Sequence, residues 1–178
     1  MNSEPVEIPL SKGKLVMIIV GSYAFVVLCY WMGFYEDGPG RGNPVIMLVA
    51  IAGLIIFAGS GLYGTAKLFD QKPGFVIDEL GFIDNSSGIA AGRVPWDDIV
   101  GLRETLVSGQ RMITVDVIDP EKYIEQGGFL KAKLNSANIN MTGSAINISA
   151  NTLAIKHAEL WQLLADGMDE FCGGGQDG

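Results

Sequence analysis

The sequence has little charge and few of the residues on which enzyme chemistry usually depends. Only 18% of its 178 residues are charged, one is histidine and two are cysteine, whereas about a quarter of the residues in soluble domains are charged. Cys29 and Cys172 are too few for a disulfide framework, and no CxxC motif or Cys/His cluster indicates zinc. A hydrophobic content of 48% excludes a disordered chain. We therefore expect a folded protein with an unusually apolar part.

Two uncharged runs contain this apolar excess. Residues 15–34 and 45–66 are 20 and 22 residues long, and such lengths match the roughly 30 Å hydrocarbon core of a membrane. The first run is longer than the apolar part of a signal peptide, no small-residue cleavage site ends it, and Trp31 fits an interfacial aromatic belt. We predict an N-terminal segment, 1–14, then a transmembrane helical hairpin with its linker, 15–72.

Lysine and arginine placement predicts the orientation of this hairpin. Lys12 and Lys14 precede the first run, Lys67 and Lys72 follow the second, and the loop between the runs carries only Arg41. Cytoplasmic flanks are enriched in Lys and Arg. We therefore expect both termini in the cytoplasm and a multi-pass protein integral to the membrane.

The rest of the chain is acidic. Residues 73–178 hold 7 Lys and Arg against 15 Asp and Glu, a net charge of −8, while residues 1–72 balance at 5 against 5. This charge argues against a nucleic-acid partner, which needs a basic surface, and against broad adhesion to anionic lipid. We assign 73–172 to one folded domain and the glycine-rich residues 173–178 to a flexible tail.

The pattern of the acidic domain predicts mostly β structure. Two short strands within 74–84 precede a long hairpin whose arms are 99–107 and 111–118, and an amphipathic helix over 155–171 ends the domain. Periodicity indicates an α+β class, and antiparallel strands capped by a C-terminal helix follow the order of a PH-like fold. Alternation in the second arm of the hairpin predicts three core residues, Ile113, Val115 and Val117.

Several motifs resemble a bacterial family of short uncharacterised membrane proteins. They are the start at 7–12, the link at 67–74, the strand and turn at 74–88, the Pro-Trp-x-Asp-Ile stretch within 91–99, and the segment 149–153. The resemblance covers nearly the whole chain. It implies two N-terminal transmembrane helices followed by a PH-like domain, located in the bacterial cytoplasmic (inner) membrane, and it implies no established activity.

No catalytic constellation is visible. His157 has no nucleophile motif nearby and is interpreted as a solvent-exposed structural residue, and neither cysteine has the electropositive surroundings that activate a thiolate. Asp97 and Asp98 are adjacent, so their side chains point apart, and they are interpreted as turn formers. We expect no enzyme activity, no cofactor and no metal.

One turn and one aromatic residue are candidates for contacts with a partner. Asn85, Ser86, Ser87 and Gly88 form a turn cluster, interpreted first as a structural Asx or Ser/Thr turn and alternatively as an interaction loop at the rim of the sheet. Trp96 is interpreted as a core anchor in preference to a binding aromatic residue.

Small residues share one face of the second apolar run. Gly53, Ser60 and Gly64 follow one another at spacings of seven and four, and small residues allow close helix approach in membranes. Packing against the first run is the preferred interpretation, and self-association into a homo-oligomer is the alternative.

These features favour a non-enzymatic, membrane-anchored interaction or sensing module with an unidentified protein partner. A second hypothesis is an immunity protein whose acidic domain neutralises a basic toxin by charge complementarity. A third is binding of lipid headgroups, for which the turn at Arg111 offers one arginine.

Overall fold

A computed structural model describes residues 4–107, 109–125, 133, 139 and 142–172. The chain forms two compact units. One consists of residues 11–71, and the other combines residues 1–10 with residues 72–178. The predicted tail, 173–178, lies outside the described residues.

The first unit is a pair of long helices. Helix α1 spans Lys12–Phe34 and helix α2 spans Pro44–Leu68, 23 and 25 residues, and both are long and apolar enough to cross a membrane. Asn43 begins α2, because its Oδ1 accepts hydrogen bonds from the backbone N–H groups of Val45 and Ile46, and Pro44 suits the first helical position. Large apolar side chains remain exposed along both helices, as Val27 and Ile55 show.

Small residues allow the two helices to pack closely. A Cβ atom placed on Gly53 would lie 2.6 Å from Sγ of Cys29, and one placed on Gly64 would lie 3.0 Å from Cγ1 of Ile19. Residues with higher numbers on α2 contact residues with lower numbers on α1, so the two helices run antiparallel. The remaining close pairs are Gly61 with Ser22 and Tyr23, Gly33 with Ala50, and the stacked rings of Phe25 and Phe57.

The second unit begins with a strand that lies before α1 in the sequence. Strand β1 (Val6–Ile8) pairs antiparallel with β2 (Phe75–Asp78), so that Ile8 is opposite Phe75. Strands β3 (Gly81–Asp84) and β4 (Gly92–Pro95) complete the four-stranded sheet in the order β1-β2-β3-β4. The helical pair is therefore an insertion between two adjacent strands of one sheet.

A second sheet follows after a single 3-10 turn, Trp96–Asp98. Strands β5 (Ile99–Val107) and β6 (Gln110–Val117) form the hairpin, and β7 (Ile146–Ile148) pairs antiparallel with β6. Helix α3 (Pro120–Glu125) follows β6, and helix α4 (His157–Cys172) ends the described chain. Leu160 and Leu164 of α4 are fully buried.

The structure confirms the α+β class, with two apolar N-terminal helices, antiparallel sheets and a C-terminal helix. The predicted core residues of β6 are buried as expected: Ile113, Val115 and Val117. Thr114 is buried as well, although alternation assigns it to the opposite face, and its hydroxyl lies 2.8 Å from Thr105 Oγ1 and 2.8 Å from Asn147 Oδ1. These hydrogen bonds satisfy the buried hydroxyl. Strand β1 was not predicted.

Replacement of Gly64 by leucine should destabilise the helical pair. The new side chain would overlap Ile19, and overpacking of this kind costs about 1–3 kcal/mol. Thermal unfolding in detergent, followed by far-UV circular dichroism, measures the loss. Gly59→Leu is the matched control, because nothing lies within 4 Å of a Cβ atom at Gly59. Equal melting temperatures for the two variants would contradict the close approach at Gly64.

Replacement of Ile8 by alanine should destabilise the sheet domain, although Ile8 precedes α1. Ile8 is only 4% exposed, and truncating a buried isoleucine costs about 2–5 kcal/mol. Urea unfolding of the full chain in detergent, followed by tryptophan fluorescence, measures this loss. Glu7→Ala, at the exposed neighbouring position, should leave the midpoint nearly unchanged. An unchanged midpoint for Ile8→Ala would mean that β1 contributes nothing to the domain.

Candidate functional site

Trp96 lies in the 3-10 turn that connects β4 of the first sheet to β5 of the second sheet. Its side chain is 3% exposed, and its indole N–H donates a 2.9 Å hydrogen bond to the carbonyl oxygen of Asp78. The ring of Phe82 meets it edge to face at 6.2 Å between centroids. The structure thus confirms Trp96 as a core anchor.

Helix α4 packs directly on this tryptophan. A Cβ atom at Gly167 would lie 2.7 Å from the Trp96 ring, so only glycine allows the helix to approach so closely without a shift. One turn further along, Phe171 stacks on Trp96 with centroids 6.0 Å apart. These contacts fix the last two turns of α4 against the first sheet.

An apolar groove of about 130 Å³ lies where α4 meets the edge of that sheet. Its apolar lining comes from β1, β2 and one stripe of α4: Val6, Ile77, Leu163, Gly167 and Phe171. Its acidic lining comes from the residues before β1, from β2, from the β2–β3 turn and from α4: Glu4, Asp78, Glu79, Asp166 and Glu170. We call this feature the acidic groove. Among the described residues no Lys or Arg lines the groove, so the described charges in its lining are of one sign.

One of the five carboxylates is neutralised from outside the groove. Arg93 donates two hydrogen bonds to Asp78, Nη1 to Oδ1 at 2.9 Å and Nη2 to Oδ2 at 2.8 Å. The hydrogen bonds from Arg93 lower the pKa of the Asp78 carboxyl below its usual value, and they outweigh the opposing effect of burial. Among the described residues, the other four carboxylates have no ion pair.

The predicted turn at Asn85 lies on the far side of the first sheet, beside a concavity of about 330 Å³ that also includes Val76 and Ile83. The Asn85 backbone N–H donates to the carbonyl oxygen of Gly74 at 2.9 Å. Its side-chain Nδ2 donates to the carbonyl oxygen of Pro73 at 3.4 Å. Asn85 is therefore committed to contacts within the domain.

Ser86 is similarly engaged in the interior. It is 5% exposed, its backbone N–H donates to Oδ1 of Asp84 at 2.8 Å, and its carbonyl oxygen accepts a hydrogen bond from Thr152 Oγ1 at 2.9 Å. Ser87 and Gly88 are exposed. Of the four residues proposed as an interaction loop, these two present the surface that a partner could reach.

The predicted small-residue face of α2 meets α1 at two of its three positions. Gly53 and Gly64 make the close approaches described above. Ser60 is exposed, and its hydroxyl donates to the carbonyl oxygen of Ile56 in its own helix at 2.8 Å. Gly61, which the sequence interpretation did not name, makes the third close approach to α1.

His157 is less exposed than its sequence context suggested. Its side chain is 19% exposed, and Nε2 lies 2.7 Å from Oε1 of Glu104, while the buried Nδ1 has no hydrogen-bond partner among the described residues. The contact links the first turn of α4 to β5. This contact docks α4 on the second sheet.

A second polar cluster lies between α3 and the 3-10 turn. Asp98 accepts hydrogen bonds from Lys122 Nζ and from the Tyr123 hydroxyl. The hydrogen bonds from these two groups lower the pKa of Asp98, while desolvation raises that of Tyr123, whose side chain is fully buried. Asp97 is exposed. The two adjacent aspartates thus have separate environments, and Asp98 anchors α3.

Among the described residues, no group of three or more His, Cys, Asp and Glu is placed to hold a metal ion, and this includes the acidic groove.

Comparisons of the chain with protein-family models, with curated proteins and with solved structures give no match.

The sequence interpretation missed the acidic groove because it missed β1. Glu4 and Val6 reach the groove only through the pairing of β1 with β2. A weak signal was present, since Val6 and Ile8 alternate with charged Glu7, but three residues are too few to distinguish a strand from an irregular segment.

Substitution of Asp78 by asparagine should reduce the stability of the domain at neutral pH by about 1 kcal/mol, the value for a well-aligned but partly exposed ion pair. Because the pKa of Asp78 is lowered in the folded state, its contribution is present above its unfolded pKa of about 3.9 and is lost as the pH falls through the folded value. Urea midpoints between pH 7 and pH 2 measure this effect.

In this titration the difference in urea midpoint between the wild-type protein and Asp78→Asn should disappear as the pH falls. Asp97→Asn is the control, because Asp97 is exposed and forms no ion pair among the described residues. A constant difference between wild type and Asp78→Asn across the pH range would show that the ion pair with Arg93 is not the cause.

Proposed function

We propose that this protein is a non-enzymatic interaction or sensing module, anchored in a membrane by α1 and α2, that presents an acidic PH-like domain to a protein partner. The observation that carries the proposal is the position of the helical pair, which is inserted between the adjacent strands β1 and β2 of one sheet.

This insertion supports a two-span anchor. The chain before α1 and the chain after α2 meet in one antiparallel ladder, so they must lie on the same side of any membrane that the helices cross. Two antiparallel spans satisfy this condition and a single span does not. Cleavage after α1 would also remove β1 from the sheet, which argues against α1 as a signal sequence.

The sheet order supports the PH-like assignment. Four strands and then three, with a corner at Trp96 and a helix that packs on that corner, form the described domain. The sequence motifs that resemble the bacterial membrane family favour the same fold and an inner-membrane location. The positions of Lys12, Lys14, Lys67 and Lys72 beside the two helices favour the cytoplasmic face.

Charge also favours a protein partner over a lipid headgroup. Arg93 and Arg103 are both engaged in ion pairs, with Asp78 and Asp116, and the exposed Arg111 is a single cation near the β5–β6 turn. An anionic membrane surface repels a domain of net negative charge. A basic protein surface, in contrast, is attracted to such a negatively charged domain.

Cysteine labelling in intact cells tests the orientation. In a Cys172→Ser background, Asp37→Cys should react with a membrane-impermeant maleimide added outside, because Asp37 lies in the loop between the helices. Asp97→Cys, on the exposed surface of the sheet domain, should react only after the cells are opened. The reverse pattern would refute the cytoplasmic placement, and equal reaction from outside would refute the two-span anchor.

In-membrane cross-linking of the full chain tests the interaction role. A photo-reactive residue placed at Ser87 or at Glu170, both exposed, should give a discrete protein adduct in native membranes. The same residue placed at Met17, exposed on α1, is the control for collisions in the bilayer. Absence of a discrete protein adduct at both Ser87 and Glu170 would contradict the interaction role.

A further inference from the structure

We propose that the acidic groove binds a basic segment of another membrane protein, with one apolar side chain of that segment in the groove and its Lys or Arg residues beside the groove carboxylates. This inference rests on the proposed interaction function and names the partner chemistry for one surface of the domain.

The volume of the groove limits the size of the apolar part of the ligand. An apolar cavity of about 150 Å³ holds a benzene ring, so a groove of about 130 Å³ accepts a single aliphatic or aromatic side chain. Val6 is 42% exposed in the lining, and covering it would remove apolar surface from water. The groove therefore has room for one anchor residue.

The charges around the groove determine which residues should flank the apolar side chain in the ligand. Glu4, Glu79, Asp166 and Glu170 border the apolar lining without an ion pair among the described residues. Bringing four like charges under a neutral or acidic ligand would be unfavourable, whereas Lys or Arg on both sides of the anchor would be attracted. Charge complementarity thus selects a basic segment.

A membrane setting makes such segments abundant. The cytoplasmic flanks of transmembrane helices are enriched in Lys and Arg, and aromatic residues accompany them at the interface. An apolar anchor next to basic residues is therefore a common composition where another membrane protein leaves the bilayer. A domain tethered to the same membrane meets these segments at raised effective concentration.

The walls of the groove are held in place before any ligand binds. Gly167 and Phe171 contact Trp96, and Trp96 is fixed by its hydrogen bond to Asp78. Arg93 holds the Asp78 side chain from outside the groove. A preformed site avoids much of the ordering cost of binding.

Peptide binding to the full chain in phosphatidylcholine nanodiscs tests the inference. The probe is a fluorescein-labelled peptide of sequence Lys-Lys-Leu-Lys-Lys, and the comparison peptide has serine in place of leucine. Zwitterionic lipid prevents the basic peptides from binding the bilayer by charge alone. Fluorescence anisotropy should show the leucine peptide binding at least fivefold more tightly than the serine peptide.

A matched pair of variants separates the groove from the general acidity of the domain. Glu79→Gln with Glu170→Gln removes two groove carboxylates, and Asp97→Asn with Glu121→Gln removes two exposed carboxylates elsewhere. Both variants raise the net charge by two. The groove variant should bind the leucine peptide about tenfold more weakly, as expected for two charge contacts, and the control variant should stay within twofold.

The outcomes decide the inference even if the groove variant fails to fold. Equal affinity for the two peptides on the wild-type protein, or equal weakening by the two variants, would show attraction by overall charge and would overturn the proposal. No binding to the wild type would overturn it as well. A protein adduct at Ser87 in the cross-linking experiment, together with no peptide binding, would leave the interaction module in place and reject only the groove.

Discussion

The pairing of β1 with β2 is the constraint on which the rest of the structure depends. Ile8 and Phe75 are opposite each other in one ladder although 66 residues, including both apolar helices, separate them. Without this pairing, the buried face of the first sheet would lose Ile8, and Val6 would not line the groove. The helical pair is thus an insertion in a domain, and the N-terminal residues are structural members of that domain.

A second group of contacts, at the corner between the two sheets, holds α4 and the surface residues that it carries in position. Trp96 joins β4 to β5, Gly167 allows α4 to lie on its ring, and Phe171 covers it further along the helix. The same helix supplies Asp166 and Glu170 to the rim of the acidic groove. A buried aromatic side chain therefore fixes the positions of these exposed carboxylates.

The features predicted from sequence are those with strong local signals. The two apolar runs form long helices and the predicted hairpin forms between β5 and β6, because each of these signals depends on neighbouring residues. The contacts that the sequence did not reveal are long-range: β1 with β2, Thr152 with Ser86, and His157 with Glu104. The acidic groove is built from three such distant segments, so no local pattern could indicate it.

Because both helices lie between β1 and β2 in the sequence, the first sheet can close only late in synthesis. Strand β1 leaves the ribosome first, yet its partner is made only after both helices, and at about 5–20 residues per second this interval lasts several seconds. During that time Ile8 has no partner strand to cover it. Closure of the first sheet therefore cannot precede synthesis of α1, α2 and β2, and a chain that stops before β2 leaves Ile8 accessible to the proteases that remove unfinished proteins.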